Sequence, residues 1–131
     1  MSYDPISTDG SIALHVPARF ASASTVRLVA ASLAADAAFT VDDVEDIRLA
    51  VNEVFTCAVV EAGAGAGTVS VRFDVSPTDL IVELGVADDV APIELDDLAL
   101  SIIRSAVDDV RIEDRRVSLI KHRRPSTFSD R

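Results

Sequence analysis

The chain has 131 residues, a net charge of −10, 49% hydrophobic and 26% charged residues, one Cys, five Phe, one Tyr and no Trp. That length suits one domain, in which folding buries roughly two-thirds of the unfolded surface without staples. The acidic balance and the lack of aromatics argue against phosphate-backbone binding and base stacking, and a single Cys excludes an internal disulfide and fits a reducing compartment.

Residues 1–10, MSYDPISTDG, read as a loose leader with neither a basic start nor an apolar run. Ser11 to Val16 alternates Ile12, Leu14 and Val16 against Ala13 and His15, a strand that Pro17 stops. From Ser22 to Ala37, Val26, Leu28, Val29, Leu33 and Ala34 recur at helical spacing. Thr40 precedes Asp43 by three positions in a capping-box variant, and Asp42, Asp43, Glu45 and Asp46 load the first turns of a second helix. Val44, Ile47, Val51, Phe55, Ala58 and Ala62 mark its buried stripe, which Leu49, Val54, Cys57 and Val60 widen. Glu53 is an acid in the middle of that apolar run. Gly63 to Gly67 ends the helix. It is no phosphate loop, because it leaves a helix instead of opening one.

Val69, Val71 and Phe73 alternate in a strand, Ser76 to Asp79 makes a turn, and Leu80 to Val86 is the hairpin partner. Residues 87–97 form an acidic loop. Leu98 to Asp108 is a third helix, with Leu98, Ile102, Ala106 and Leu100, Ile103, Val107 as inner rows. Val110 to Ile112 and Val117 to Ile120 close the chain as a hairpin, and residues 123–131 are a polar, frayed tail. The basic run Lys121, His122, Arg123, Arg124 reads as a solvated end. Arg48 and Arg104 are placed to pair with carboxylates along their helices. The order of strand, two helices, two strands, helix and two strands gives an α+β domain over residues 11–122. Its sheet is mixed and mostly antiparallel, with about three helices on one face in a two-layer sandwich. No apolar stretch reaches the ~18 residues of a membrane span, so the expected location is the cytoplasm. His15 and His122 fall on the first and last strands, and two histidines alone do not define a metal site.

The stretch 42–62, DDVEDIRLAVNEVFTCAVVEA with Glu53 inside it, resembles the helix that opens the nucleotide site in bacterial anti-sigma factors of the serine/threonine-kinase type. These are small relatives of the ATP-binding domains of histidine kinases, gyrase and Hsp90. The element order matches that family over roughly residues 11–122. The resemblance implies three places that hold ATP and Mg²⁺. In the first, a catalytic Glu is followed four positions on by a metal-binding Asn. Glu53 matches the acid as the family-equivalent base, but Cys57 stands at the Asn position, and a soft thiol suits Mg²⁺ poorly. Asn52 is turned about 100° away around the helix. Glu61 stands where the family often has His. The second place is an Asp-x-Gly-x-Gly strand end that grips adenine; here it is Gly85-Val86-Ala87-Asp88-Asp89-Val90, and only a slide of the loop recruits Asp88. The third is a glycine turn whose helix N-terminus receives phosphates; here it is Asp97-Leu98-Ala99-Leu100, with Ala99 replacing a glycine. Glu94, Asp96 and Asp97 crowd it, and two like charges 4 Å apart repel by about 4 kcal/mol at an effective dielectric of 20. Ile103-Arg104 and Asp108-Asp109-Val110 match the family's helix and its exit.

The expected protein is therefore an anti-sigma regulatory factor of this type with its kinase site decayed. It takes neither ATP nor a metal and works by binding a sigma factor and an anti-anti-sigma protein of the STAS type, without contacting nucleic acid or membrane. The family's habit implies a homodimer, and it places both partners near the first two helices and the nucleotide edge, with Arg27, Asp88, Asp89 and Glu94 as the expected contact positions for them. Two alternatives stay open. One is an active ATP-dependent serine/threonine kinase that uses Glu53 on the anti-anti-sigma protein, and the other is a non-enzymatic regulator with a remodelled or empty pocket.

Overall fold

A computed structural model describes residues 10–62, without the side chain of residue 62, and residues 67–124. The leader up to residue 9, the side chain of Ala62, the stretch Gly63 to Ala66 and the tail from residue 125 lie outside the described residues. Strand β1 (Gly10–Pro17) leads through a 3₁₀ turn (Phe20–Ser22) into α1 (Ala23–Asp36) and α2 (Val41–Ala62). Then come β2 (Thr68–Val75), β3 (Asp79–Gly85), α3 (Asp97–Ala106), β4 (Asp109–Glu113) and β5 (Arg116–His122). The strands form one sheet in the order β1-β2-β3-β5-β4. Every pairing is antiparallel, so the mostly antiparallel sheet expected from the element order is wholly so.

Strand alternation decides the two faces of the sheet. Val69, Val71, Phe73 and Val75 of β2 point inward with Leu80, Val82 and Leu84 of β3 and Val117 and Leu119 of β5. The helices cover that face, and α2 lies between α1 and α3. Ile47, Ala50, Val51, Val54, Phe55, Ala58 and Val59 of α2 are all buried, which explains a helix apolar around most of its girth. Small residues make up much of the helices' buried faces: Ala23, Ala30 and Ala34 beside Val26 on α1, and Ala99 and Ala106 beside Ile103 on α3.

Several apolar positions expected inside lie outside. Leu98 is 71% exposed, Val60 60%, Leu28 69% and Leu49 45%. On α3 the expected inner residues Ile103 and Ala106 are buried, but the first turn buries Ala99 in place of Leu98. Alanine lets α3 approach α2 where leucine would hold it off, so Leu98 turns to solvent.

The Thr40 cap forms by half. Thr40 Oγ1 accepts the Asp43 N–H at 3.1 Å, but the Asp43 carboxylate is committed elsewhere. Lys121, on the inner face of β5, lies 3.5 Å from Asp43 Oδ1 and 3.4 Å from Asp46 Oδ2, and donates to the Ala106 carbonyl at 2.7 Å. Arg124 adds contacts to Asp43 at 3.3 Å and to Asp108 at 3.1 Å. Arg123 donates to the Ser76 carbonyl at 3.0 Å and stands over the Phe39 ring. The basic run is thus a docked strap and not a solvated end, because the carboxylates that hold it come from the distant α2 and from the exit of α3.

His122 opposes Asp79 across the β3–β5 ladder and its Nδ1 bonds the Asp79 carboxylate. That bond holds the His122 pKa above its ordinary 6.5. The same bond, with help from Thr78, holds Asp79 below the usual carboxylate range. Stability from the raised imidazole is complete below its ordinary range and is lost as pH rises through its raised value. Stability from the lowered carboxylate is present above the ordinary range and is lost as pH falls through its lowered value. The pair therefore contributes most in the window between. An NMR titration should place the His122 midpoint above 6.5, and Asp79→Asn should return it to the ordinary value. An unshifted midpoint in the parent chain would refute the pairing.

Candidate functional site

The C-terminal half of α2 and the segment entering α3 enclose a hollow of about 690 Å³. From α2 come Glu53, Thr56, Cys57, Val60 and Glu61, spaced i, i+3, i+4, i+7 and i+8, so one helix face supplies that wall. The facing wall is Glu94, Leu95, Asp96, Leu98 and Ala99. Ile93, buried and bonded through its N–H to the Asp114 carbonyl at 2.8 Å, pins this segment to the β4–β5 turn. Arg115 Nε holds the Val90 carbonyl at 2.9 Å, and Val86 N–H holds the Arg115 carbonyl at 3.0 Å.

The hollow unites only part of the expected site. Glu53, Cys57 and Ala99 meet there. Asp97 is exposed at the first position of α3 and does not line it, although Asp96 and Leu98 on either side do. Asp88 lies in a second hollow of about 580 Å³ with His15, Arg72, Glu83 and Arg116. Val86, at the position of the adenine-gripping acid, lines that second hollow too. Neither Val86 nor Asp88 therefore joins Glu53, Cys57 and Ala99 in the first hollow.

Charge dominates the α2–α3 hollow. Its carboxylates are Glu53, Glu61, Glu94 and Asp96, and no Lys, Arg or His is among its lining residues. Burial, and then the charges of Asp96, Glu53 and Glu61, push the Cys57 thiol above its ordinary pKa of 9.0. Both causes disfavour the thiolate that nucleophilic attack or metal ligation would need. Among the described residues, no group of three or more His, Cys, Asp or Glu is spaced to hold a metal ion. Glu53 is half-buried at the hollow's wall and makes no side-chain hydrogen bond among the described residues.

The helix terminus that could receive an anion is already occupied. Asp96 is the N-cap of α3, and its Oδ1 accepts the Ala99 N–H at 2.8 Å. A phosphate would have to displace this internal carboxylate and then lie beside Glu94 and Glu61. The cap had a sequence signal, a pair of Asp before an apolar helical run; the acidic crowding there was legible, but which Asp caps the helix was not.

The remaining candidates lie away from this hollow. Asn52 accepts from Arg27 Nη1 at 2.6 Å and so ties α1 to α2 on the far side of the helix from Cys57. Arg48 pairs with Glu45 at 2.9 Å, as its helical spacing suggested, whereas Arg104 forms no ion pair among the described residues. His15 faces Ser70 in the row of Gly85 and Arg116, six positions along β5 from His122. At ~3.4 Å per residue that is roughly 20 Å, so the two histidines share no metal. No described helix is long and apolar enough to cross a membrane.

The sequence profile described as the histidine kinase-like ATPase domain matches residues 16–121. Among solved structures, the chain is similar to that of the RsbU and RsbW domains of Rv1364c from Mycobacterium tuberculosis, with a TM-score of 0.71 and 18% sequence identity. The match covers 89% of this chain and 34% of that one, so this chain spans about a third of its solved neighbour. No curated protein matches the sequence.

Proposed function

The chain belongs to the histidine kinase-like ATPase domain family, and from that premise we propose that it is a partner-switching regulator that works by stoichiometric protein binding and not by phosphotransfer. Its expected partners are a sigma factor, which it holds from RNA polymerase, and a competing anti-anti-sigma protein of the STAS type, both in the cytoplasm. The resemblance to kinase-type anti-sigma factors supports the partners. The loss of kinase activity is supported by one observation: the hollow where a triphosphate would lie is walled by Glu53, Glu61, Glu94 and Asp96, with Asp96 already holding the Ala99 N–H. Opposed charges would be needed there, and the lining supplies none.

The kinase alternative draws on Glu53, which lines the hollow and makes no side-chain hydrogen bond among the described residues, so its carboxylate is open to accept a proton from a substrate hydroxyl within reach. Chromatography of the chain with purified sigma factors, and with STAS-type proteins carrying a labelled-phosphate readout, separates the two. The expected result is a nucleotide-independent complex with one sigma factor, dissolved by the STAS protein, and no label on serine. Label transfer that is lost in Glu53→Ala would establish the kinase instead.

A further inference from the structure

The α2–α3 hollow has a second character besides its charge. Val60 and Leu98 stand on its opposite walls and are 60% and 71% exposed, with Leu95 half-buried beneath. Exposed aliphatic groups on both walls of a concave site mark a binding surface more than isolated surface leucines do. An anionic ligand meets four carboxylates and a capped helix terminus. A neutral apolar ligand would strip water from those carboxylates without replacing it. A long basic side chain satisfies both features, because its methylene stem covers aliphatic surface while its charged head stays among carboxylates.

On the reading that no nucleotide fills this site, we infer that the hollow is a docking groove for a basic, aliphatic segment of a partner protein. An Arg or Lys stem lies between Val60 and Leu98, with its head group at Glu53 and Glu61, and a neighbouring aliphatic side chain of the segment covers Leu98. A small polyamine would answer the charge and lay a methylene stem along the groove, but it brings no aliphatic side chain to cover Leu98. The net charge of −10 attracts a cationic partner to the molecule, and the four carboxylates of the hollow draw it to this face.

The test uses a short blocked helical peptide of Leu, Arg and Ala, its counterpart with Glu for Arg, spermidine, and Mg-ATP, read by fluorescence anisotropy. The full chain should bind the basic peptide and not the acidic one. Glu53→Gln with Glu61→Gln, and separately Leu98→Ser, should each weaken binding by about tenfold. The charge-matched control Asp36→Asn with Glu45→Gln, away from the hollow, should change it by less than about twofold. Absence of peptide binding, equal weakening in the control, indifference to Leu98→Ser, or displacement by spermidine at equal concentration would each overturn the groove assignment while leaving the regulatory reading in place. Saturation by Mg-ATP with displacement of the peptide would overturn both.

Discussion

Replacing Lys121 with Met is expected to lower the unfolding free energy by about 3 kcal/mol, read by urea denaturation. The Lys121 side chain is 7% exposed and that of Asp43 is 10% exposed, so the pair is dry. Methionine keeps the stem and removes the cation. The Ala106 carbonyl then loses its donor, and Asp43 is left to Arg124 alone. Breaking a buried pair from one side costs about 3–5 kcal/mol, and the surviving Arg124 contact puts this case at the low end. Replacing Asp43 with Asn as well should recover part of the loss, because the uncompensated charge goes with it. A loss below about 1 kcal/mol would mean that water reaches the site and that the pair behaves like a surface bridge.

The second large effect is in the core. Phe55→Ala should cost about 4 kcal/mol, since a fully buried aromatic at the centre of α2 leaves a void that packed neighbours fill only in part. Leu98→Ala should stay within about 0.5 kcal/mol, although helical periodicity alone assigns Leu98 and Phe55 alike to an inner row. Chemical denaturation of the two variants side by side decides the matter. A Leu98→Ala loss comparable to that of Phe55→Ala would show Leu98 packed and would close the hollow described above.

That contrast shows where the sequence was legible. Strands followed from strict alternation, as in Val69, Val71 and Phe73. Helix starts followed from local chemistry, as in the Thr40 bond to the Asp43 N–H. Both depend on neighbours within a few positions. Lys121 was not legible: its partners Asp43 and Asp46 lie more than 70 positions away, and beside His122, Arg123 and Arg124 it looked like part of a solvated run. Leu98 was misplaced because α3 meets α2 through alanines, a packing choice that the period of the helix does not specify. On the α2 wall of the candidate site, Glu53 and Cys57 were readable from the family resemblance, whereas helical periodicity assigns Val60 to the buried stripe and Thr56 carries no signal. The placing of Asp88 was not, since the course of residues 86–96 depends on bonds to the distant Asp114 and Arg115.

The central claim is that this scaffold no longer grips a nucleotide and works through protein contact. Calorimetric titration of Mg-ATP into the chain tests it most directly. The predicted trace shows no saturable heat up to millimolar nucleotide. A stoichiometric isotherm with micromolar affinity, abolished by Glu53→Ala, would contradict it.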